Sequence, residues 1–352
     1  MIKVLMCGPD ASSGGVTTHT KRLTEELEEL GVVIISHSFS GSNFRKLYQR
    51  TIGLMLKAIN KRTEYDIIHI QASGGIFSFI SAITGAIASH GLNKRLIVTF
   101  HNSETKRFVT VHKHAFGFVL NKLDKLILVS HKQEEAVISL YGDISEKIIV
   151  LPNGFKDSLY YAMDKVACRN MLNLPLDKKI IFNISNLIES KGHKFLISSI
   201  REMISVNNNC SCYIAGKGYF ENTLKDQVSE LQLQNYVTFL GWIPDEQIPI
   251  WINACDIFVL PSLAEGNPIV MFEALGCGKP FVGTIIGGIP EIINSNEYGL
   301  LVEPADYKDL SEKILIALDK EWDRDVILSY AEQFKWKNIA KETKRVYVQH
   351  LI

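Results

Sequence analysis

The sequence predicts an α/β protein made of two Rossmann-like, doubly wound parallel-sheet domains. Three observations carry this. Short β-branched or aromatic runs alternate with helical patterns through the first half, the sign of a parallel sheet covered on both faces. The same alternation restarts near residue 180. The 352 residues also suffice for two domains of common size, each with its own core.

In the first half the strand-like runs are 2–7, 32–36, 67–70, 96–100, 126–129 and 148–151. Helical patterns lie between most of them, such as 17–30 and 133–140. The apolar stretch 74–92 has the length of a membrane span, but its Gly and Ser content and closing His90 favour a buried crossover helix. Pro152-Asn153-Gly154-Phe155 carries turn chemistry, which puts a domain boundary near residue 156. The second set of runs is 180–184, 211–215, 237–239, 257–260 and 281–284. The expected division is therefore 1–155 and 156–328, followed by an aromatic-rich helical stretch over 329–352. Ligands in such sheets bind at the carboxyl ends of the strands, which predicts a site in the cleft between the domains.

A hydrophobic content of 46% and a charged content of 22% describe an ordinary globular chain. The net charge is zero, yet residues 1–155 carry 18 Lys/Arg against 13 Asp/Glu, and the remainder 20 against 25. No nucleic-acid-binding motif accompanies the basic half, so nucleic acid is not an expected partner. The six cysteines show no C-x-x-C pair or disulfide-scaffold density, which points to reduced thiols in a cytoplasm. The first apolar run is too short for a signal-peptide core.

One block is more informative than the rest. After the run Asp256-Ile-Phe-Val-Leu260 come Pro261-Ser-Leu-Ala-Glu265-Gly266-Asn267-Pro268-Ile269-Val270 and a helical pattern carrying Glu273. Asn267 is expected to cap that helix, with Pro268 at its first position. The N–H groups of Ile269 and Val270 then point out of the positive end of the helix, a seat for a phosphate. Glu265 and Glu273 repel phosphate but suit sugar hydroxyls. A diphosphate between two polyols is a nucleotide sugar.

Glu265 and Glu273, with Ala274-Leu-Gly-Cys-Gly-Lys-Pro280 and Gly287-Gly288-Ile-Pro-Glu291 behind them, resemble the donor-site signature of the family-four retaining glycosyltransferases. The resemblance spans nearly the whole chain and is strongest over residues 180–300. It implies the GT-B architecture, a nucleoside-diphosphate sugar as co-substrate, no cofactor and no metal. It also implies that 1–155 is the acceptor domain, with the C-terminal helix packing back on it, and that 156–328 is the donor domain.

The same resemblance assigns further residues. Gly14-Gly15, after the first strand, would lie against the donor diphosphate or sugar, although a tight strand–helix turn also calls for glycine. Ser185, Asn186 and Lys191 match a phosphate-binding segment in which Lys191 neutralises the leaving diphosphate. Many members have Arg at the position of Asn186, and Lys217 is a candidate to compensate. His101 would touch the transferred sugar, so His101, Lys191 and Glu265 are the residues assigned to the reaction centre. A strand-end histidine serves equally as a packing or capping group. Gln71 stands where a second His is often found and has no assigned role. Gly241, Trp242 and Ile243 would hold the nucleotide base, with Trp242 either stacking on the base or covering the core.

The implied reaction is retaining transfer of a hexose-type sugar to a saccharide or lipid-linked saccharide. The stretches 44–62 and 106–125 mix basic and apolar residues without acids in the first of them, which suits an anionic membrane face or simply a solvated basic helix side. The expected location is the cytoplasm, with a peripheral position on the inner face of the cell membrane as the option these stretches suit. A GT-B sugar-nucleotide epimerase and an inactive nucleotide-sugar-binding partner of another transferase are the alternatives. A nicotinamide dehydrogenase fits poorly, because Gly8-Pro-Asp-Ala-Ser-Ser-Gly14 is not G-x-G-x-x-G.

Overall fold

The structure, a computed structural model, describes residues 1–10 and 14–351; Ala11, Ser12 and Ser13 of the first glycine loop, and Ile352, lie outside the described residues. The chain divides into two compact units, Met1–Gly154 with Trp336–Ile352, and Phe155–Lys335.

The first unit holds strands β1 (Lys3–Pro9), β2 (Val33–Phe39), β3 (Ile67–Ser73), β4 (Arg95–His101), β5 (Lys125–Leu128) and β6 (Ile148–Val150). They form one parallel sheet in the order β2-β1-β3-β4-β5-β6. The second unit holds β7 (Lys179–Ile184), β8 (Cys210–Ala215), β9 (Val237–Gly241), β10 (Ile257–Leu260), β11 (Phe281–Thr284) and β12 (Gly299–Val302). Its parallel order is β12-β11-β10-β7-β8-β9. Strand β12 was not anticipated: Gly299-Leu-Leu-Val is four residues long and opens on a glycine, so it carries little strand signal.

Both orders reverse direction once. In the first sheet the reversal lies between β1 and β3, and in the second between β7 and β10. Successive crossovers leave on opposite sides of the sheet there, so the loops diverge and leave a crevice at the carboxyl ends of the strands. Topology alone therefore nominates the loops after β7 and β10.

The central strands of both sheets are buried on both faces and read as nearly continuous apolar runs, while the edge strands β2 and β9 are partly exposed. The helix Ile76–Leu92 crosses over one face of the first sheet. At Gly85 an added Cβ would lie 2.9 Å from Ile70 Cγ1, so glycine lets helix and strand approach. No helix among the described residues is long and apolar enough to cross a membrane. All six cysteines are free and buried.

One expectation changes. The tail is not one helix from 329. Helix Arg324–Ala331 belongs to the second unit, a short 3-10 turn Glu332–Phe334 follows, and only Trp336–Gln349 belongs to the first unit. The extended backbone at Lys335 (ψ 135°) breaks the run. Trp336 and Tyr347 anchor this last helix, at 1% and 0% exposure. The stretch 106–125 turns part of its apolar side inward. Phe108, Phe116 and Leu120 are buried, and Phe108 and Phe116 pack with Phe79 and Phe100 in one aromatic cluster. Val111 and Phe118 stay exposed, at 68% and 38%, so the stretch packs part of its apolar side into the core and leaves part at the surface.

Candidate active site

The crevice of the second unit gathers most of the residues expected at the site. Lys191 closes the loop after β7, Glu265 lies in the loop after β10, and their side chains meet: Lys191 Nζ donates to Glu265 Oε1 at 2.6 Å. Ser262 Oγ donates to the same oxygen at 2.7 Å. Glu265 is only 8% exposed, so its charge depends on these partners. Ser262 had not been singled out. A hydroxyl three residues before a carboxylate, at the end of a buried strand, is the signal that would have found it.

These loops are stitched backbone to backbone. Leu263 N donates to Ser190 O at 2.7 Å, Gly288 N to Gly266 O at 2.7 Å, and Leu187 N to Lys217 O at 3.0 Å. Glycines make such proximity possible. Gly192 has φ +70°, and an added Cβ would lie 1.8 Å from Pro261 O. At Gly287, with φ +53°, the same atom would fall 2.1 Å from Glu265 O. Neither position admits a side chain.

Helix Ile269–Gly276 starts one residue later than expected. Pro268 is its N-cap, with ψ 124°, so Asn267 stands one residue outside the cap position expected of it. The first N–H groups of the helix, from Ile269 and Val270, still lack intrahelical acceptors and mark its positive end. Glu273 is 7% exposed, one turn inside the helix.

His193, two residues beyond Lys191, proves to be part of the wall. Its Nε2 lies 3.1 Å from Asn183 Oδ1 and 3.0 Å from Ser185 Oγ. Burial, and then the Lys191 ammonium, depress its pKa to about 4. The imidazole is therefore neutral at pH 7, and Lys191 supplies the positive charge at this point. Asn186 and Lys217 are exposed on adjoining loops after β7 and β8. Trp242 is 62% exposed, which removes the core-covering alternative; Ile243, at 8%, is the residue that packs inward. Gly241, with φ +68°, makes the turn between β9 and Trp242.

The first unit holds Gly14, Gly15 and His101. Gly14 has φ +132° and so needs to be glycine, whereas among the described residues nothing lies within 4 Å of a Cβ placed on Gly15. Backbone conformation therefore explains Gly14 and not Gly15. His101 ends β4, half-buried, beside β3. Its Nε2 lies 2.9 Å from Gln71 Oε1, and its ring meets His19 edge-on at 4.4 Å between centroids. Burial, then His19 and His69, hold its pKa well below the usual histidine value. Among the described residues, no three His, Cys, Asp or Glu side chains gather as a metal-binding group.

Two doubly wound parallel sheets, each with one switch point, are the architecture of the GT-B class of glycosyltransferases. The chain belongs to that class through the family described as "Glycosyl transferases group 1", whose model matches residues 165–334, while the model described as "Glycosyltransferase Family 4" matches 13–159. It is 25% identical to the Uncharacterized glycosyltransferase MJ1607 of Methanocaldococcus jannaschii, over 96% of this chain and 95% of that protein. It is 26% identical to the Phosphatidylinositol N-acetylglucosaminyltransferase GPI3 subunit of Saccharomyces cerevisiae, over 95% of this chain and 79% of that one. Among solved structures, HepE of Anabaena in complex with UDP-glucose superposes with a TM-score of 0.81 at 22% identity, covering 99% of this chain and 100% of that chain.

Alanine at the two kinds of glycine should separate folding from function. Gly192→Ala is expected to lower stability by about 3 kcal/mol or more in urea unfolding, from strain at positive φ plus backbone overlap. Gly15→Ala should leave the urea midpoint at or slightly above that of the wild type. It should nevertheless cut kcat/KM for sugar transfer about tenfold, on the order of 1.4 kcal/mol. Full activity in Gly15→Ala would assign that glycine to the turn alone.

Proposed function

We propose that this protein is a retaining glycosyltransferase that moves a hexose-type sugar from a nucleoside-diphosphate sugar to a saccharide or lipid-linked saccharide. The observation that carries the reading is the Lys191–Glu265 pair at the β7/β10 switch point, beside the start of the helix Ile269–Gly276. An ammonium has three donors. Lys191 can therefore keep one on Glu265 and offer others to a diphosphate, while the helix N–H groups take further phosphate oxygens. The oxygen of Glu265 that faces away from Lys191 and Ser262 is an acceptor for sugar hydroxyls. Glu273 extends the same acceptor character one turn deeper. Ser185, Asn186, Gly266, Asn267 and Pro268 line the loops around this seat, and Trp242 offers an exposed face to the base.

In this reading Lys191 and the helix start carry the charge that grows on the leaving diphosphate, so the reaction draws on neither a cofactor nor a metal. The acceptor hydroxyl attacks from the face the diphosphate leaves, and a leaving phosphate oxygen takes its proton. The anomeric configuration is retained without a protein nucleophile. The Anabaena neighbour was solved with UDP-glucose, which supports a nucleotide-sugar donor. The name of the yeast relative includes phosphatidylinositol, which favours a lipid-borne acceptor.

A lipid-borne acceptor also gives a use to the surface over 44–62. The helical run Asn43–Asn60, interrupted by a π-helical turn at Gln49–Gly53, leaves Phe44, Tyr48, Ile52, Leu56 and Ile59 exposed at intervals of three or four residues. They form one apolar stripe, with Arg45, Lys46, Lys57 and Arg62 nearby in sequence and no acid between 44 and 62. A peripheral position on an anionic, cytoplasmic membrane face follows from such a stripe.

Two measurements test the proposal. Lys191→Ala, in protein shown to be folded by its thermal transition, should lower kcat by roughly a hundred- to a thousand-fold, about 3–4 kcal/mol. Turnover equal to the wild type would refute the role of Lys191, and a product with inverted anomeric configuration by NMR would refute retention. In flotation, the protein should rise with phosphatidylglycerol vesicles and lose binding as salt increases, and Phe44→Ser with Ile52→Ser should weaken it. Equal recovery with neutral vesicles, or none with anionic ones, would remove the membrane from the account.

A further inference from the structure

Gln71 has no role in the reaction as described so far, yet it is 1% exposed and every polar atom of its side chain is engaged. We propose that Gln71 is a positioning residue for His101, fixing that ring as the Nε2-protonated tautomer and leaving Nδ1 as its only accepting atom. This inference rests on the glycosyltransferase reading only for its kinetic consequence; the tautomer itself does not depend on it.

The argument runs along the amide. Gln71 Nε2 faces His69 Nε2 at 3.3 Å and Met6 Sδ at 3.6 Å. A sulfur offers an amide oxygen nothing, whereas it accepts weakly from an N–H. The NH2 group therefore belongs on that side and the carbonyl oxygen on the other, 2.9 Å from His101 Nε2. An oxygen at that distance requires His101 Nε2 to carry the proton. His69 is itself held in place, with Nδ1 2.6 Å from the Tyr347 hydroxyl and Nε2 2.7 Å from Thr99 Oγ1. The chain of contacts thus begins on the C-terminal helix, passes through β3 and ends at His101 on β4. Nδ1 of His101 makes no hydrogen bond among the described residues, and the residue is partly exposed, so this atom is the one available to a ligand hydroxyl.

The titratable groups facing His101 are His19 from the helix Gly15–Glu29 and His69 from β3, and both oppose its protonation, as does burial. His19 packs in turn on Trp336 and bonds Asn153, and His69 bonds Tyr347. A neutral ring with one fixed lone pair accepts a hydroxyl without adding positive charge beside a carbon that itself becomes positive. Gln71→Glu would replace the neutral amide oxygen by a carboxylate, which favours the imidazolium.

The test uses the full chain labelled with 15N-histidine. Two-bond 1H–15N spectra should show His101 as the Nε2–H tautomer, assigned by its loss in His101→Asn, and still neutral at pH 5.5. In Gln71→Glu the His101 signals should move to the imidazolium pattern between pH 5.5 and 7. The kcat of this variant should fall about tenfold at pH 6 and recover as pH rises, with KM for the donor unchanged within about twofold. Gln71→Leu should lose the single tautomer and should not show the new pH dependence. A wild-type His101 protonated on Nδ1, or a Gln71→Glu spectrum identical to the wild type, would overturn the proposal. If the protein transfers no sugar at all, the spectra alone still decide the tautomer, and the failure falls on the proposed reaction.

Discussion

The second unit is organised around a buried carboxylate. Glu265 lies in the loop after β10, where the loops after β7 and β11 meet it, and a carboxylate this buried needs hydrogen-bond partners at close range. Lys191 and Ser262 supply them at 2.6 and 2.7 Å. Those distances in turn depend on loops that touch through their backbones, at points where Gly192 and Gly287 leave no room for a Cβ. The arrangement is thus a chain of constraints: sheet order opens the crevice, glycines let its loops close on one another, and the closure seats a lysine on a glutamate.

The consequence for chemistry is a polarised surface. Lys191 and the first N–H groups of the helix Ile269–Gly276 supply positive potential, while Glu265 and Glu273 supply acceptors. His193 could have added a second cation next to Lys191, but burial keeps it neutral, with a pKa of about 4. The first unit follows the same rule. His19 and His69, depressed to about 4 and about 3, are uncharged inside a packed wall that includes Trp336 and Tyr347. Their neutrality is what allows three imidazoles to share one interior region without mutual repulsion.

Much of this was legible in the sequence, for identifiable reasons. Parallel strands buried on both faces must be continuous apolar runs, so eleven of the twelve strands announced themselves, and the exception, Gly299–Val302, is short and opens on glycine. The Glu265–Glu273 block was legible because turn, helix start and carboxylates fall within a few residues. What the sequence hid was whatever depends on partners far along the chain. Ser262 looks like any strand-end serine until Glu265 folds back on it. The Gln71–His101 contact joins residues on two neighbouring strands, and Tyr347 reaches His69 across 278 positions. Composition at 106–125 did not separate the buried Phe108 and Phe116 from the exposed Phe118, because it does not say which way a phenylalanine faces. Pro268 keeps an extended ψ and delays the helix by one residue, which moves Asn267 out of the N-cap position expected of it.

The central claim is that the Lys191–Glu265 pair and the adjoining helix start receive the diphosphate of an activated sugar. A crystal structure with a nucleoside-diphosphate sugar tests it most directly. The account predicts phosphate oxygens within about 2.7–3.2 Å of Lys191 Nζ and of the Ile269 or Val270 N–H, with a sugar hydroxyl on a glutamate oxygen. A diphosphate bound anywhere else, with Lys191 serving Glu265 alone and the helix start untouched, would contradict it.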